Sequence, residues 1–235
     1  VSTTGVVLLH GKWDRPPHAI EALAQALRAA GHRCHTPDMP WSLARRYDTP
    51  LEAVFDTLAG ELAALRASGC QRVVLGGHSL GAAAALGHAA RHPGLDGLML
   101  LSPGHFPERL AEAGHTGAAL AQARAAGEAP ARIPLVDVHQ GRARRLRIAP
   151  RHYLDYFEPE GRLNWPRNAA ALPPGLPVLW LVGTQDAAAG LGIDYALSRA
   201  PHHPAHAYLV IDAGHVSTPA RGAGQVLAWL HALDT

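Results

Sequence analysis

Apolar residues in this chain fall into short continuous runs separated by stretches of helical spacing. Gly5–Leu9 is a β-branched run ending in His10-Gly11, and Ala19–Ala30 follows with Ile20, Leu23 and Leu27 on one stripe before Gly31, a suitable helix stop. His32–Thr36 reads as a weaker strand. Pro37, Pro40 and Pro50 then mark a long loop before a second amphipathic helix over Leu51–Ala67. Strands are predicted at Arg72–Leu75, Leu95–Leu101, Pro177–Val182 and Ala207–Ile211, with helices at Leu80–His92 and Pro219–Leu233. The strands are solid Val/Leu runs rather than alternating ones, the pattern of a sheet covered on both faces. The expected fold is a doubly wound, mostly parallel α/β sheet of about six strands.

Residues 104–170 interrupt this rhythm with several glycines and prolines and no clear strand. A plain loop of that length is unusual in a compact domain, and its Tyr153, Tyr156, Phe157 and Trp165 argue for a folded cap. The expected division is therefore a core over 1–103 and 171–235 with a cap insertion over 104–170.

The chemistry gathers where predicted strands end. Gly77-His78-Ser79-Leu80-Gly81 follows one strand and opens a helix rich in alanine. A sharp turn there lifts a serine hydroxyl above the sheet, and the helix N-terminus favours developing negative charge. A serine needs a base, and the base needs an orienting acid. His215, in Ala213-Gly214-His215, follows the last strand, and Asp186, in Gly183-Thr184-Gln185-Asp186, follows the one before it. Asp212 and Asp194 are rival acids. Acyl transfer also needs oxyanion donors. The Leu80 N–H is one, and the His10-Gly11-Lys12-Trp13 loop offers the other, from Lys12 with Trp13 as the alternative. His10 is expected to brace that loop, and the Lys12 side chain to be solvated rather than to meet substrate.

These four motifs, in this order and alternating with helices, resemble the α/β-hydrolase superfamily over about 1–103 and 171–235. The resemblance implies Ser79 as nucleophile, Asp186 as acid and His215 as base, and 104–170 as a cap inserted at the family's usual place. Two strands that usually precede the HG strand have no counterpart, which implies six strands rather than eight. The loop reads HGKW, not the HGGG of many lipases.

Composition narrows the remaining possibilities. The 235 residues carry a formal net charge of +2, too small for a nucleic-acid footprint. No apolar run approaches the roughly 20 residues of a membrane span. No glycine fingerprint for a dinucleotide or nucleotide follows a strand, so no cofactor is expected. His202, His203 and His206 lack acidic partners, and no metal is expected. Cys34 and Cys70 show no disulfide or zinc spacing. The chain opens at Val1, and Val6–Leu9 is too short for a signal sequence. The compartment stays open, with a soluble cytoplasmic protein favoured over an exported form, and the oligomeric state is unspecified.

The expected substrate is a small molecule with a carboxylic ester, thioester or related acyl bond. A lyase or acyltransferase acting on an anionic substrate, or a non-catalytic binding protein, are the alternatives. Trp13, Trp41, His105, Tyr153, Tyr156 and Phe157 are candidates for the pocket wall, although the cap aromatics could equally form a small core of their own. Arginines between Ile133 and Arg167 either favour a carboxylate-bearing substrate or are simply solvated.

Overall fold

The structure, a computed structural model, describes residues 3–127 and 131–233. Residues 1–2, 128–130 and 234–235, which fall within the expected core and cap, lie outside the described residues. In chain order the first half comprises β1 (Thr4–Leu9), α1 (Glu21–Ala29), β2 (Arg33–His35), α2 (Leu51–Ala67), β3 (Arg72–Ser79), α3 (Leu80–Ala89) and β4 (Gly97–Pro103). Then come α4 (Pro107–Glu112), α5 (Gly117–Ala126), β5 (Ile133–His139), β6 (Arg142–Ile148), α6 (Pro150–Phe157) and α7 (Trp165–Ala170). The chain ends with β7 (Val178–Gly183), β8 (Ala207–Ile211), α8 (Thr218–Arg221) and α9 (Ala223–Ala232). Three short 3-10 turns lie between β7 and β8.

Six parallel strands form the main sheet in the order β2-β1-β3-β4-β7-β8. Because side chains alternate along a strand, each solid apolar run serves two cores. Val7, Leu9, Leu75, Leu98, Leu100 and Trp180 face α2, α3 and the 104–170 segment. Val6, Leu8, Val74, Met99, Leu101 and Leu181 face α1 and α9 through Ile20, Leu23, Leu27, Val226 and Leu230. Both cysteines are buried free thiols. Among the described residues no helix is long and apolar enough to cross a membrane.

Two expectations fail. The final helix is not continuous: Gly222 divides it into α8 and α9, and a Cβ there would lie 2.3 Å from Leu181 Cδ2, so the chain turns where it touches the sheet. The 104–170 segment does contain strands, since β5 and β6 form an antiparallel hairpin. Its sequence hid them for physical reasons. Buried Asp137 occupies an inward position of β5, breaking the apolar alternation, and β6 reads as a run of exposed arginines.

Candidate functional site

The β3 strand runs straight into the turn at Ser79, whose backbone lies at φ 57° and ψ −119°, and α3 begins at the next residue. The flanking glycines are required by backbone proximity. A Cβ on Gly77 would fall 2.2 Å from the Gly81 carbonyl, and one on Gly81 would fall 2.6 Å from the Leu9 carbonyl oxygen. Only hydrogen fits at either position, which lets β1, β3 and α3 converge beneath the serine.

Asp186 follows β7 and His215 follows β8. Their loops are tied together by Thr184 N–H to the Ile211 carbonyl (2.8 Å) and Gln185 N–H to the Ala213 carbonyl (3.0 Å). His215 Nδ1 lies 2.8 Å from Asp186 Oδ2. A carboxylate only accepts, so that nitrogen carries the proton and Nε2 is left as the acceptor. Nε2 is buried without a partner among the described residues. Burial pushes the Asp186 carboxyl up, but the His215 hydrogen bond and charge, with the Ala188 N–H, hold it below its usual range. Gly104 faces both groups, for a Cβ there would be 2.7 Å from Ser79 Oγ and 3.2 Å from His215 Cε1. Asp212, the rival acid, instead accepts from Gln185 Nε2 and is exposed, as is Asp194.

Gly11 brings the His10–Trp13 loop against this turn, where a Cβ would lie 3.3 Å from Ser79 Cβ. His10 braces the loop, donating from Nδ1 to the Gly11 carbonyl and accepting the Met39 N–H at Nε2, each at 2.8 Å. The Trp13 N–H donates to the Trp41 carbonyl at 2.9 Å and is therefore already engaged. The Lys12 N–H has no acceptor among the described residues.

The Lys12 side chain is buried rather than solvated. Its Nζ donates to Asp137 Oδ1 at 2.6 Å and to the Val138 carbonyl at 2.9 Å. Trp13 Nε1 and Tyr47 Oη both donate to Asp137 Oδ2 at 2.7 Å. Burial lowers the Lys12 pKa and Asp137 pulls it back. Sequence reasoning missed Asp137, because the strand that turns it inward was itself hidden.

A cleft of about 310 Å³ is lined by Ser79, His215, Gly11, Lys12, Trp13 and His139. Trp13 thus stands where a pocket residue was expected. His105 lies in an adjoining cavity of about 320 Å³ with Gly104 and Asp186, and its Nε2 donates to the Tyr156 carbonyl at 2.7 Å. Trp41, Tyr153, Tyr156 and Phe157 do not line the cleft. They are fully buried with Tyr47, Tyr153 stacking on Phe157 at 4.1 Å and Tyr47 meeting Tyr156 at 5.0 Å. The polar tips of Trp41, Tyr153 and Tyr156 donate to backbone carbonyls, those of His10, Val136 and Thr49. Aromatic bulk buried at the junction of the segment and the sheet explains why these residues looked like pocket wall in sequence.

His139, at the end of β5, was also missed. It lines both cavities, with its ring 5.4 Å from Trp13 and 6.0 Å from His215. His203 and His206 bond nearby backbone groups. His10, Asp14 and His18 each bring one potential ligand atom within 4.8 Å of the others, but both His10 ring nitrogens are already committed to backbone.

Burial depresses the pKa of His78 and His88 to about 4 and of His139 to about 3. A lowered folded pKa means the unfolded chain takes up these protons first, from about pH 6.5 downward. Stability is therefore expected to fall as pH drops from about 6.5 to about 4, at roughly 1.4 kcal/mol per pH unit for each proton. Urea unfolding across that window measures it, with His88→Leu flattening the slope by about one proton. An unchanged slope in that variant would exclude His88 from the linkage.

The Alpha/beta hydrolase family model matches residues 6–227. No curated protein matches the sequence. Among solved structures, a monoacylglycerol lipase from Paleococcus ferrophilus is similar at TM-score 0.68 and 20% identity, covering 99% of this chain and 96% of that one. Est1E from Butyrivibrio proteoclasticus, solved with ferulic acid bound, gives TM-score 0.64 at 14% identity, covering 98% and 89%. The siderophore hydrolase EstB from Aspergillus fumigatus gives 0.62 at 17%, covering 99% and 92%. At these identities the likeness is one of fold. With the parallel sheet and the serine turn between β3 and α3, the match over residues 6–227 places this chain in the Alpha/beta hydrolase family.

Proposed function

We propose that this protein is a serine hydrolase that cleaves a small or medium carboxylic ester, thioester or related acyl bond through an acyl-enzyme on Ser79. The observation that carries the reading is the Asp186–His215 pair at 2.8 Å, which leaves His215 Nε2 as an unbonded base beside the strained Ser79 turn. In this reading the Ser79 hydroxyl attacks the acyl carbon as Nε2 takes its proton. The carbonyl oxygen becomes an oxyanion held by the Leu80 and Lys12 N–H groups. Collapse expels the leaving group, which receives the proton from Nε2. A water then gives a proton to Nε2 and attacks the acyl-enzyme, releasing the acid and restoring Ser79. Ser79 and His215 make no hydrogen bond in the free protein, and catalytic contacts of this kind commonly tighten only with substrate.

A cleft of about 310 Å³ suits a small or medium acyl group. Intact mass after exposure to a fluorophosphonate tests the reading. One adduct is expected on the native protein and none on Ser79→Ala or His215→Ala. A folded native protein that takes no adduct, or a Ser79→Ala variant that still takes one, would contradict it.

A further inference from the structure

The cleft at Ser79 does not end at Ser79. Asp14, Arg15, Leu43 and Arg144 line it, and the same four residues line a larger groove of about 860 Å³ that leads outward. Arg46 and Arg145 complete the cationic lining of that groove. Its two carboxylates, Asp14 and Asp38, offset only two of the four arginine charges, and neither forms an ion pair with a groove arginine among the described residues. Asp14 accepts the Arg15 and Ala19 backbone N–H groups, and Asp38 lies 3.5 Å from His10. Elsewhere Arg28, Arg45, Arg66, Arg124, Arg162 and Arg167 sit on Asp or Glu side chains, whereas none of the four groove arginines is ion-paired among the described residues.

Arg144 stands at the junction of cleft and groove. In the hairpin it is directly opposite Asp137, but Asp137 is already taken by Lys12, Trp13 and Tyr47. Its guanidinium lies over the Trp13 ring at 4.8 Å from the centroid. Stacking fixes the plane of an arginine while leaving its N–H edges available, and those edges match a carboxylate or phosphate in a forked pair.

We propose that this groove binds an anionic group, a carboxylate or a phosphate, carried by the substrate at the end remote from the acyl bond cleaved at Ser79. This rests on the serine-hydrolase reading and narrows it to a substrate class. The anion sets orientation: with its charge anchored along the groove, the acyl bond is drawn to the inner end, where Ser79 stands. The net positive field of this lining also raises the local concentration of anionic substrates before contact.

The test uses p-nitrophenyl monoesters of diacids from glutarate to suberate, each paired with its neutral methyl ester, and the matching ω-phosphonates. A preference of about tenfold in kcat/KM for the charged member is expected at low salt, falling towards one in about 0.5 M NaCl. Arg46→Gln combined with Arg145→Gln should collapse that ratio. Carboxylate and phosphonate arms show which anion the groove prefers. Equal kcat/KM for charged and neutral esters, with hydrolysis still dependent on Ser79, overturns the groove proposal and leaves the hydrolase reading standing. Should Ser79 prove inert, calorimetric titration with suberate monoamide reads the groove directly. Binding weakened at least severalfold by the double substitution supports the proposal, and unweakened or undetectable binding overturns it.

Discussion

Ser79→Ala and Ser79→Gly are both expected to lower ester turnover on the order of 10⁴-fold or more, but to move stability differently. The activity loss follows from removing the oxygen proposed to attack, which no neighbouring group replaces. The stability difference follows from the backbone. Ser79 lies at φ 57° and ψ −119°, a region that side chains with a Cβ occupy only under strain. Alanine keeps the Cβ, so Ser79→Ala should retain the strain and unfold close to the native protein. Glycine relieves it, and after its own entropy cost Ser79→Gly should be more stable by about 1 kcal/mol. Thermal and urea unfolding of the three proteins, beside kcat on a p-nitrophenyl ester, make the comparison. Substantial turnover by the alanine variant would remove Ser79 from the chemistry. A glycine variant no more stable than native would show that the turn holds no strain energy.

Asp137→Ala is expected to be the most damaging single change outside the serine turn. It strands the Lys12 ammonium in a buried site, which costs about 3–5 kcal/mol. It also leaves Trp13 Nε1 and Tyr47 Oη without their acceptor, at about 1–3 kcal/mol for each group that stays buried and unpaired. Asp137→Asn, which keeps an acceptor but not the charge, should fall between. Pairing Asp137→Ala with Lys12→Met should recover part of the loss, because the stranded charge goes with it. Urea midpoints of the single and double variants form the cycle. A double variant no better than Asp137→Ala alone would mean that the ion pair is not what the hairpin contributes. Activity is a second readout: Lys12 supplies the N–H proposed for the oxyanion, so loosening its loop should lower kcat more than KM.

The contrast between Ser79 and Asp137 explains what could be read from sequence. The serine turn is legible because its requirements are local. Gly77, Ser79 and Gly81 lie within five residues, and the close backbone approaches that exclude side chains occur inside that span or against the adjacent β1. Helix α2 and strand β8 were equally legible, since Leu51–Ala67 keeps one apolar stripe and Ala207–Ile211 is an uninterrupted run. Asp186 and His215 were singled out by place, at the ends of consecutive strands, and the structure puts them 2.8 Å apart. Asp137 meets Lys12 across 125 residues, and nothing near either residue announces the other. The aromatic cluster misled for a related reason. Tyr153, Tyr156 and Phe157 have the composition of a pocket wall, but helix α6 turns them inward against Tyr47.

The Asp137 network also bears on how a substrate would reach Ser79 in the proposed reading. A covering segment that swings aside must break its inner contacts on every opening. Here that would mean parting a 2.6 Å buried ion pair and three further hydrogen bonds while exposing the carboxylate. A hairpin held to the floor of the site by these contacts is not expected to act as a door. In the proposed reading, substrate enters along the groove instead, past Arg144 and Arg15, which line both groove and cleft. Such an enzyme has no closed state for an oil–water interface to open, so its rate should rise smoothly with dissolved ester and show no jump when the ester begins to form droplets.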